Sequence, residues 1–169
     1  MKLESTRTNG ARLLDTLGIA YEPRSYEIDL EDLTATSVAR KIGLPPEQVF
    51  KTLLLQAAPG EYFFAVVPGD QELDLKKMAV VTGSKKLELA SLKQLAPLTG
   101  YVRGGVTVLA AKKPFPAVAD ETIVLFERIS ISAGQRGLQL VLSPTDYLRA
   151  ASASLADLTR ATSGRSGAP

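Results

Sequence analysis

The chain has 169 residues, of which 45% are hydrophobic and 22% are charged, and its 20 basic residues exceed its 18 acidic ones by a net charge of only +2. These values are typical of a globular domain with an ordinary core, and the charge excess is too small to indicate a nucleic-acid-binding protein by itself. The chain has no histidine and no cysteine, which excludes disulfides and Ser-His-Asp or Cys-His catalysis and argues strongly against a zinc site.

Helical spacing and turn residues define the first elements. The sequence predicts an amphipathic helix in "NGARLLDTLGI" (residues 9–19) and a second helix in "TSVARKIGL" (36–44). Between them, "YEPRSYEID" (21–29) is extended, and its proline favours an edge or irregular strand. "PPEQV" (45–49) predicts a short helical turn.

The middle of the chain predicts a hairpin followed by two helices. Strands at 49–57 and 61–67 are joined by "APGE", which contains a Pro-Gly pair. "LDLKKMAVVTG" (73–83) predicts a helix capped by its aspartate. "SLKQLAPLTG" (91–100) begins with the Ser-x-x-Gln pattern of a capping box, and we expect Pro97 to end that helix.

The last third predicts strands and a final helix. "YVRGGVTVLAA" (101–111) is strand-like but broken by two glycines, and three short strands follow in "TIVLFE" (122–127), "RISIS" (128–132) and "LQLVLS" (138–143). "SPTDYLRAA" (143–151) then predicts a helix with serine as its cap and proline at its first position.

The order of these elements predicts an α+β domain with a mixed, largely antiparallel, barrel-like β-sheet flanked by helices. We expect one domain over residues 1–160 and a flexible C-terminal tail over 161–169, because "ATSGRSGAP" is small and polar. No stretch approaches the roughly 18–20 apolar residues of a membrane span, and the N-terminus lacks the apolar run of a signal peptide. We therefore expect a cytoplasmic protein.

Lys51 is out of place in the apolar strand "VFKTLLLQ" (49–56). Alternation along the strand places it on one face with Leu53 and Leu55, and Thr52 on the other. A lysine that begins a strand often lays its stem on apolar neighbours and lifts its ammonium into water. The alternative is a pocket lysine that binds a phosphate or carbonyl oxygen as a strong point-charge donor.

Gly104 and Gly105 also allow two interpretations. Paired glycines in a strand usually mark a bulge or bend, but they also let a ligand approach backbone N–H groups that can stabilise an oxyanion. Seven lysines form a loose group that is either a solvated surface or a stripe facing tRNA. They are Lys76, Lys77, Lys85, Lys86, Lys93, Lys112 and Lys113. No phosphate-binding loop or GxGxxG motif supports ATP or NAD as a cofactor.

Five stretches in order carry a resemblance to a known family. They are "TNGARLLDTLGIAYEPRSYEID", "ARKIGLPPEQVFKTLLLQ", "LDLKKMAVVTGSKKLELAS", "TGYVRGGVTVLAAKKPFPAVAD" and "SAGQRGLQLVLSPTDYLRAASASLADLTR", which together cover residues 8–160. The chain resembles the YbaK family of free-standing Cys-tRNA(Pro) deacylases, which are related to the editing domain of bacterial prolyl-tRNA synthetases.

The resemblance implies a mixed barrel-like sheet and the hydrolysis of mischarged aminoacyl-tRNA, without a cofactor or metal. It implies a catalytic set of Lys51, Gly104 and Gly105, and a substrate that contributes its own thiol or ribose hydroxyl. It implies substrate binding by four further residues, Tyr26, Gly100, Thr107 and Gln139. The expected partners are aminoacylated tRNA and prolyl-tRNA synthetase.

The chain departs from the family pattern at three positions. Val108 replaces a proline, Gln135 replaces a lysine, and Gln139 replaces an acidic residue near the pocket and cannot carry negative charge. These changes leave open a deacylase for another small amino acid, such as Ala-tRNA(Pro), and a non-catalytic module that binds tRNA or protein. A small-molecule enzyme with a lysine nucleophile is a third reading.

Overall fold

Five α-helices form in the described part of the chain, residues 7–160 of a computed structural model. The tail predicted over 161–169 lies outside the described residues. Polar side chains cap the helices as predicted: the Asp74 carboxylate accepts hydrogen bonds from two backbone N–H groups, and the Gln94 side chain accepts one from Ser91 N–H at 2.8 Å. The helices are α1 (Asn9–Thr16), α2 (Ala35–Ile42), α3 (Leu75–Thr82), α4 (Leu92–Thr99) and α5 (Pro144–Ala151). None of them is long and apolar enough to cross a membrane.

The prediction that Pro97 ends its helix is wrong. α4 continues past Pro97 and stops at Gly100, whose φ of 84° is left-handed. Pro97 is exposed, so its ring lies on the solvent side of the helix. The Thr99 hydroxyl donates to Leu95 O at 2.6 Å, which ties the last turn together despite the missing N–H.

Ten strands form three sheets among the described residues, and their arrangement confirms an α+β fold with a mixed, largely antiparallel sheet. The first sheet has the order β5-β2-β3-β6-β9, the second β1-β8-β7, and the third pairs β10 with β4. The predicted hairpin is β2–β3, whereas β6 pairs in parallel with both β3 and β9. The strands are β1 (Glu22–Ser25), β2 (Phe50–Ala58), β3 (Glu61–Pro68), β4 (Glu72–Leu73), β5 (Glu88–Leu89), β6 (Ala117–Asp120), β7 (Ile129–Ser132), β8 (Leu138–Leu142), β9 (Ala153–Ala156) and β10 (Thr159–Arg160).

The first two sheets meet without closing into one barrel within residues 7–160. A single parallel bridge joins Val49, just before β2, to Ser130 of β7. β1 is an edge strand of the second sheet, as its proline predicted. The bridge therefore joins the two sheets at one corner, and a buried apolar cluster packs between them.

Two predicted strands are wrong. Residues 101–111 form turns and irregular backbone, closed by a 2.6 Å hydrogen bond from the Tyr101 hydroxyl to Leu109 O. The segment 122–127 contains a 3₁₀-helix, Glu121–Leu125, that begins where the Asp120 carboxylate accepts hydrogen bonds from Thr122. A local side-chain bond thus overrides the strand propensity of an apolar run.

The core lies on both faces of β2 and β3. Phe50 and Val66 pack with Leu14, Leu140 and other residues between the first two sheets. On the opposite face a second cluster contains Leu55 and, partly buried, Leu53. The predicted alternation along β2 is confirmed, because Leu53 and Leu55 share one face while Phe50 belongs to the cluster on the other.

Asp120 is a buried anchor whose removal should destabilise the fold. Its side chain is 1% exposed and accepts a 2.9 Å hydrogen bond from the N–H of buried Leu158. We expect Asp120→Ala to lower the free energy of unfolding by about 3 kcal/mol, because it leaves that N–H without a partner. Urea denaturation measures the change.

The control is Asp157→Ala, which removes an exposed ion pair with Lys77 at 2.9 Å. It should cost less than about 1 kcal/mol. Equal stability of the two variants would contradict the anchoring role of Asp120.

Candidate active site

An open cleft of about 480 Å³ lies where the first two sheets diverge. Its walls come from β2, the start of α2, the β5–α4 segment, the loop around Gly104, and the strands β7 and β8. Both polar and apolar groups line it, which is the usual character of a small-molecule or ligand-end binding site.

The cleft follows an open edge of β2. β5 pairs with β2 only at Leu55 and Gln56, and Ala90 N–H adds a 2.9 Å bond to Leu54 O. Along residues 50–53 no strand of the described chain forms a ladder on this side. Side chains from both faces of β2, including Lys51 and Thr52, therefore reach the cleft. Because Leu54 O points to this edge, Thr52, two residues earlier, directs its own N–H and C=O the same way.

Lys51 supplies a partly buried cation to the cleft wall. Its Nζ donates to the carbonyl oxygen of Gly69 at 3.4 Å, which is a long bond and leaves most of its donor capacity for a ligand. Burial lowers the pKa of Lys51 below its ordinary value of 10.5, and the more distant Glu72 and Asp70 carboxylates oppose that shift. Desolvation is the largest influence on the pKa of Lys51, so the ammonium does not simply lie in bulk water.

Gly69 can approach this lysine because it has no side chain. A Cβ there would lie 2.8 Å from the Cβ of Ala35 and 2.9 Å from Val49 O. The glycine N–H also donates to Val49 O at 2.7 Å. These contacts fix the position of Gly69 between the end of β3 and the first turn of α2, and so fix the carbonyl oxygen that accepts from Lys51.

The two glycines predicted for the site have different positions. Gly104 lines the cleft with a φ of 88°, and its nearest neighbours are the side chains of Leu33 and Arg136. Gly105 is buried behind it, where a Cβ would lie 2.9–3.0 Å from backbone atoms of residues 135 and 136. Arg136 Nε donates to Arg103 O at 2.8 Å, and Arg103 lines the cleft beside Gly104.

Gln139 and Ser132 form the polar side of the cleft opposite β2. They are register partners on β8 and β7, and both line the cleft. The Ser130 hydroxyl donates to Gln139 Oε1 at 2.7 Å in a buried bond, and Ser132 Oγ accepts from Gly134 N–H at 3.1 Å. Sequence reasoning missed Ser132, although a serine alternating with isoleucines in a buried strand was an available signal.

The structure thus brings together Lys51, Gly104 and Gln139 of the predicted site residues. Tyr26 packs instead against the cluster around Val38 and Val49, outside the lining of the cleft. Gly100 caps α4, and the buried Thr107 hydroxyl accepts from Leu109 N–H at 3.3 Å. The substrate contacts assigned to Tyr26, Gly100, Thr107 and Gly105 stay predictions.

The lining groups suit an acyl compound better than a metal. Within residues 7–160 no three carboxylates come together as a metal site would require. A cation, backbone groups at an open strand edge, and neutral hydroxyl and amide groups can instead hold an ester and polarise its carbonyl.

Comparison with known proteins agrees with this chemistry. The family model for the aminoacyl-tRNA editing domain matches residues 32–150. An Enterococcus faecalis protein, EbsC, named as a candidate Cys-tRNA(Pro)/Cys-tRNA(Cys) deacylase, is 36% identical over 158 residues, covering 94% of this chain and 96% of that protein. The multifunctional Ser/Thr-tRNA deacylase ProXp-y of Escherichia coli K12 is 32% identical over 103 residues, which is 59% of this chain and 60% of that protein. A solved structure described as a candidate trans-editing enzyme for prolyl-tRNA synthetase superposes with a TM-score of 0.81 at 25% identity, over 92% of this chain and 97% of that one.

The lowered pKa of Lys51 predicts the direction in which the free energy of unfolding changes with pH. Between that pKa and 10.5 the folded chain releases a proton that the unfolded chain keeps, so the stability contributed by this group rises with pH. We expect the free energy of unfolding of wild type, relative to Lys51→Met, to increase as pH rises through the lowered pKa. Chemical denaturation over a pH series measures it.

The matched control is Lys41→Met, because Lys41 is exposed and donates to Glu27 O outside the cleft. The value to follow is the free energy of unfolding of wild type minus that of Lys51→Met. If this difference stays constant or falls as pH rises, the burial of the Lys51 charge is contradicted.

Proposed function

The chain belongs to the family of aminoacyl-tRNA editing domains, and from this premise we propose that it is a trans-editing hydrolase that deacylates mischarged tRNA, with Cys-tRNA(Pro) as its main substrate. The observation that carries the proposal is the cleft in which Lys51, Gly104 and Gln139 meet at the open edge of β2. The Enterococcus faecalis relative, named for Cys-tRNA(Pro) and Cys-tRNA(Cys), supports the choice of amino acid.

The reaction needs little from the protein's side chains. Water attacks the ester carbonyl, the bond between the acyl carbon and the ribose oxygen breaks, and the products are the free amino acid and the tRNA 3′-terminal hydroxyl. An aminoacyl ester is already labile, so positioning and charge stabilisation supply much of the barrier reduction. A thiol or ribose hydroxyl of the substrate takes the part of the general base.

Lys51 is the proposed electrostatic catalyst. Its ammonium has donors left after the long bond to Gly69 O, and its partial burial strengthens any contact with a carbonyl or phosphate oxygen. Gly104 leaves room for the ester beside the loop backbone, and Gln139 contacts the amino-acid side chain from the opposite wall. This division of roles keeps the Lys51 ammonium beside the reacting group.

The partner proposed to supply the tRNA is prolyl-tRNA synthetase, and the proposed location is the cytoplasm. The structural neighbour described as a trans-editing enzyme for that synthetase supports the first point. Of the loose lysine group, Lys77 is already engaged by Asp157 and Thr159 O, so a tRNA-facing stripe would have to use the others.

A second candidate substrate class is tRNA carrying serine or threonine. The Escherichia coli relative named as a Ser/Thr-tRNA deacylase favours it, and the neutral Gln139 amide can bond to a hydroxyl as well as to a thiol. A panel of tRNAs charged with cysteine, alanine, serine and threonine separates these specificities.

The panel also tests Lys51. We expect wild type to hydrolyse Cys-tRNA(Pro) fastest and Lys51→Met to lower kcat/KM by about 100-fold, because one preorganised charge at the developing oxyanion is lost. Release of radiolabelled amino acid measures both values, and Lys41→Met should stay near wild type.

Two results would change the proposal. Wild-type rates for Lys51→Met would remove Lys51 from the reaction. Retention of tRNA on a filter without cleavage of any ester in the panel would make the chain a binding module.

A further inference from the structure

Tyr147 of α5 is a buried polar residue that the mechanism above does not use. Its side chain is fully buried, and its hydroxyl is the one buried side-chain polar atom without a hydrogen-bond partner in the part of the chain that the structure describes. A phenylalanine would fill the same space without burying an unpartnered hydroxyl, so the tyrosine lowers stability with no compensating bond in the core.

Thr52 is the polar neighbour of this hydroxyl. Tyr147 packs in the core cluster that contains Phe50 and Val66. Phe50 precedes Thr52 by two residues on the same face of β2, and Val66 is the cross-strand partner of Thr52 on β3. Burial raises the pKa of Tyr147, and the nearby Thr52 side chain opposes that shift. The phenol therefore keeps its proton, and its hydroxyl lies near Thr52 without meeting the geometry of a hydrogen bond.

Thr52 connects the core to the cleft. It is only 9% exposed, yet it lines the cleft beside Lys51, at the open edge of β2. A threonine hydroxyl has one proton and two acceptor positions. When another group donates to its oxygen, its own proton becomes available to a different acceptor, which here can be a ligand in the cleft.

We propose that Tyr147 is a positioning residue, an inference that rests on the proposed function. When an aminoacyl ester occupies the cleft, the Tyr147 hydroxyl donates a hydrogen bond to Thr52. This bond directs the Thr52 hydroxyl proton to the ester carbonyl oxygen. Neither side chain makes or breaks a covalent bond. Tyr147 acts from inside the core, through Thr52, on the same oxygen that the Lys51 charge stabilises from the cleft wall.

A double-mutant cycle tests this pathway. Tyr147→Phe should lower kcat for the best tRNA of the panel by about tenfold, the equivalent of one hydrogen bond in the transition state. Its melting temperature should be equal to or above that of wild type. Thr52→Val should lower kcat by at least as much, and adding Tyr147→Phe to Thr52→Val should have no further effect.

Thr52→Ser is the rescue variant, because it restores the hydroxyl that Thr52→Val removes, so its kcat should exceed that of Thr52→Val and should fall again when Tyr147→Phe is added. Wild-type kcat for Tyr147→Phe, or multiplicative effects in the double variant, would overturn the proposal.

A binding measurement keeps this test independent of hydrolysis. The probe is a non-hydrolysable analogue of cysteinyl-adenosine in which an amide replaces the ester but the carbonyl remains. Calorimetry should show binding weakened several-fold in Tyr147→Phe, and equal affinity would overturn the proposal. If wild type binds the analogue but cleaves no tRNA of the panel, the proposed function is wrong. The affinities of wild type and Tyr147→Phe for the analogue then still decide the positioning role of Tyr147.

Discussion

The cleft depends on one constraint, the edge of β2 along residues 50–53, where no strand of residues 7–160 forms a ladder. β3 occupies the other edge of the strand, and β5 covers the open edge only from Leu55 onward. Exposed strand edges normally invite pairing with another chain. Here the start of α2, the loop around Gly104 and the diverging second sheet surround the edge instead, so its backbone groups face a ligand-sized space.

The electrostatics of the site follow from that edge. An ordinary strand would place Lys51 on one face only, with its ammonium in water. Because the strand borders a cleft, the Lys51 side chain is half-buried and held by Gly69 O, and the acidic residues near it, Asp70 and Glu72, act only at a distance. The opposite wall is neutral, since Gln139 accepts from Ser130 and carries no charge. The half-buried Lys51 ammonium facing these neutral groups, with the exposed Arg103 beside Gly104 as a second lining cation, suits a reaction in which negative charge develops on a carbonyl oxygen.

The sequence predicted those elements whose signals are local. Asp74, Ser91 and Ser143 cap helices as expected, because each cap bonds within its own first turn. The parallel strands β6 and β9 were missed, because their partners lie far away in the chain and no short-range pattern marks them. The cleft itself depends on such long-range pairing. Lys51 stood out as a lysine among leucines, whereas Ser132 becomes a lining residue only once β7 is placed beside β8.

Gly104 and Gly105 form one pair in the sequence, but the structure disfavours a side chain at each of them for a different physical reason. At Gly104 the main obstacle to a side chain is the left-handed backbone, because the atoms nearest to a Cβ belong to the side chains of Leu33 and Arg136 and lie 3.3–3.4 Å away. At Gly105 the obstacle is contact with the backbone of residues 135 and 136, which cannot move without shifting the turn that leads into β8. The first glycine therefore shapes the cleft directly. The second sets how closely the loop packs on the turn before Gln139, so that it acts on the site through the spacing of the two walls.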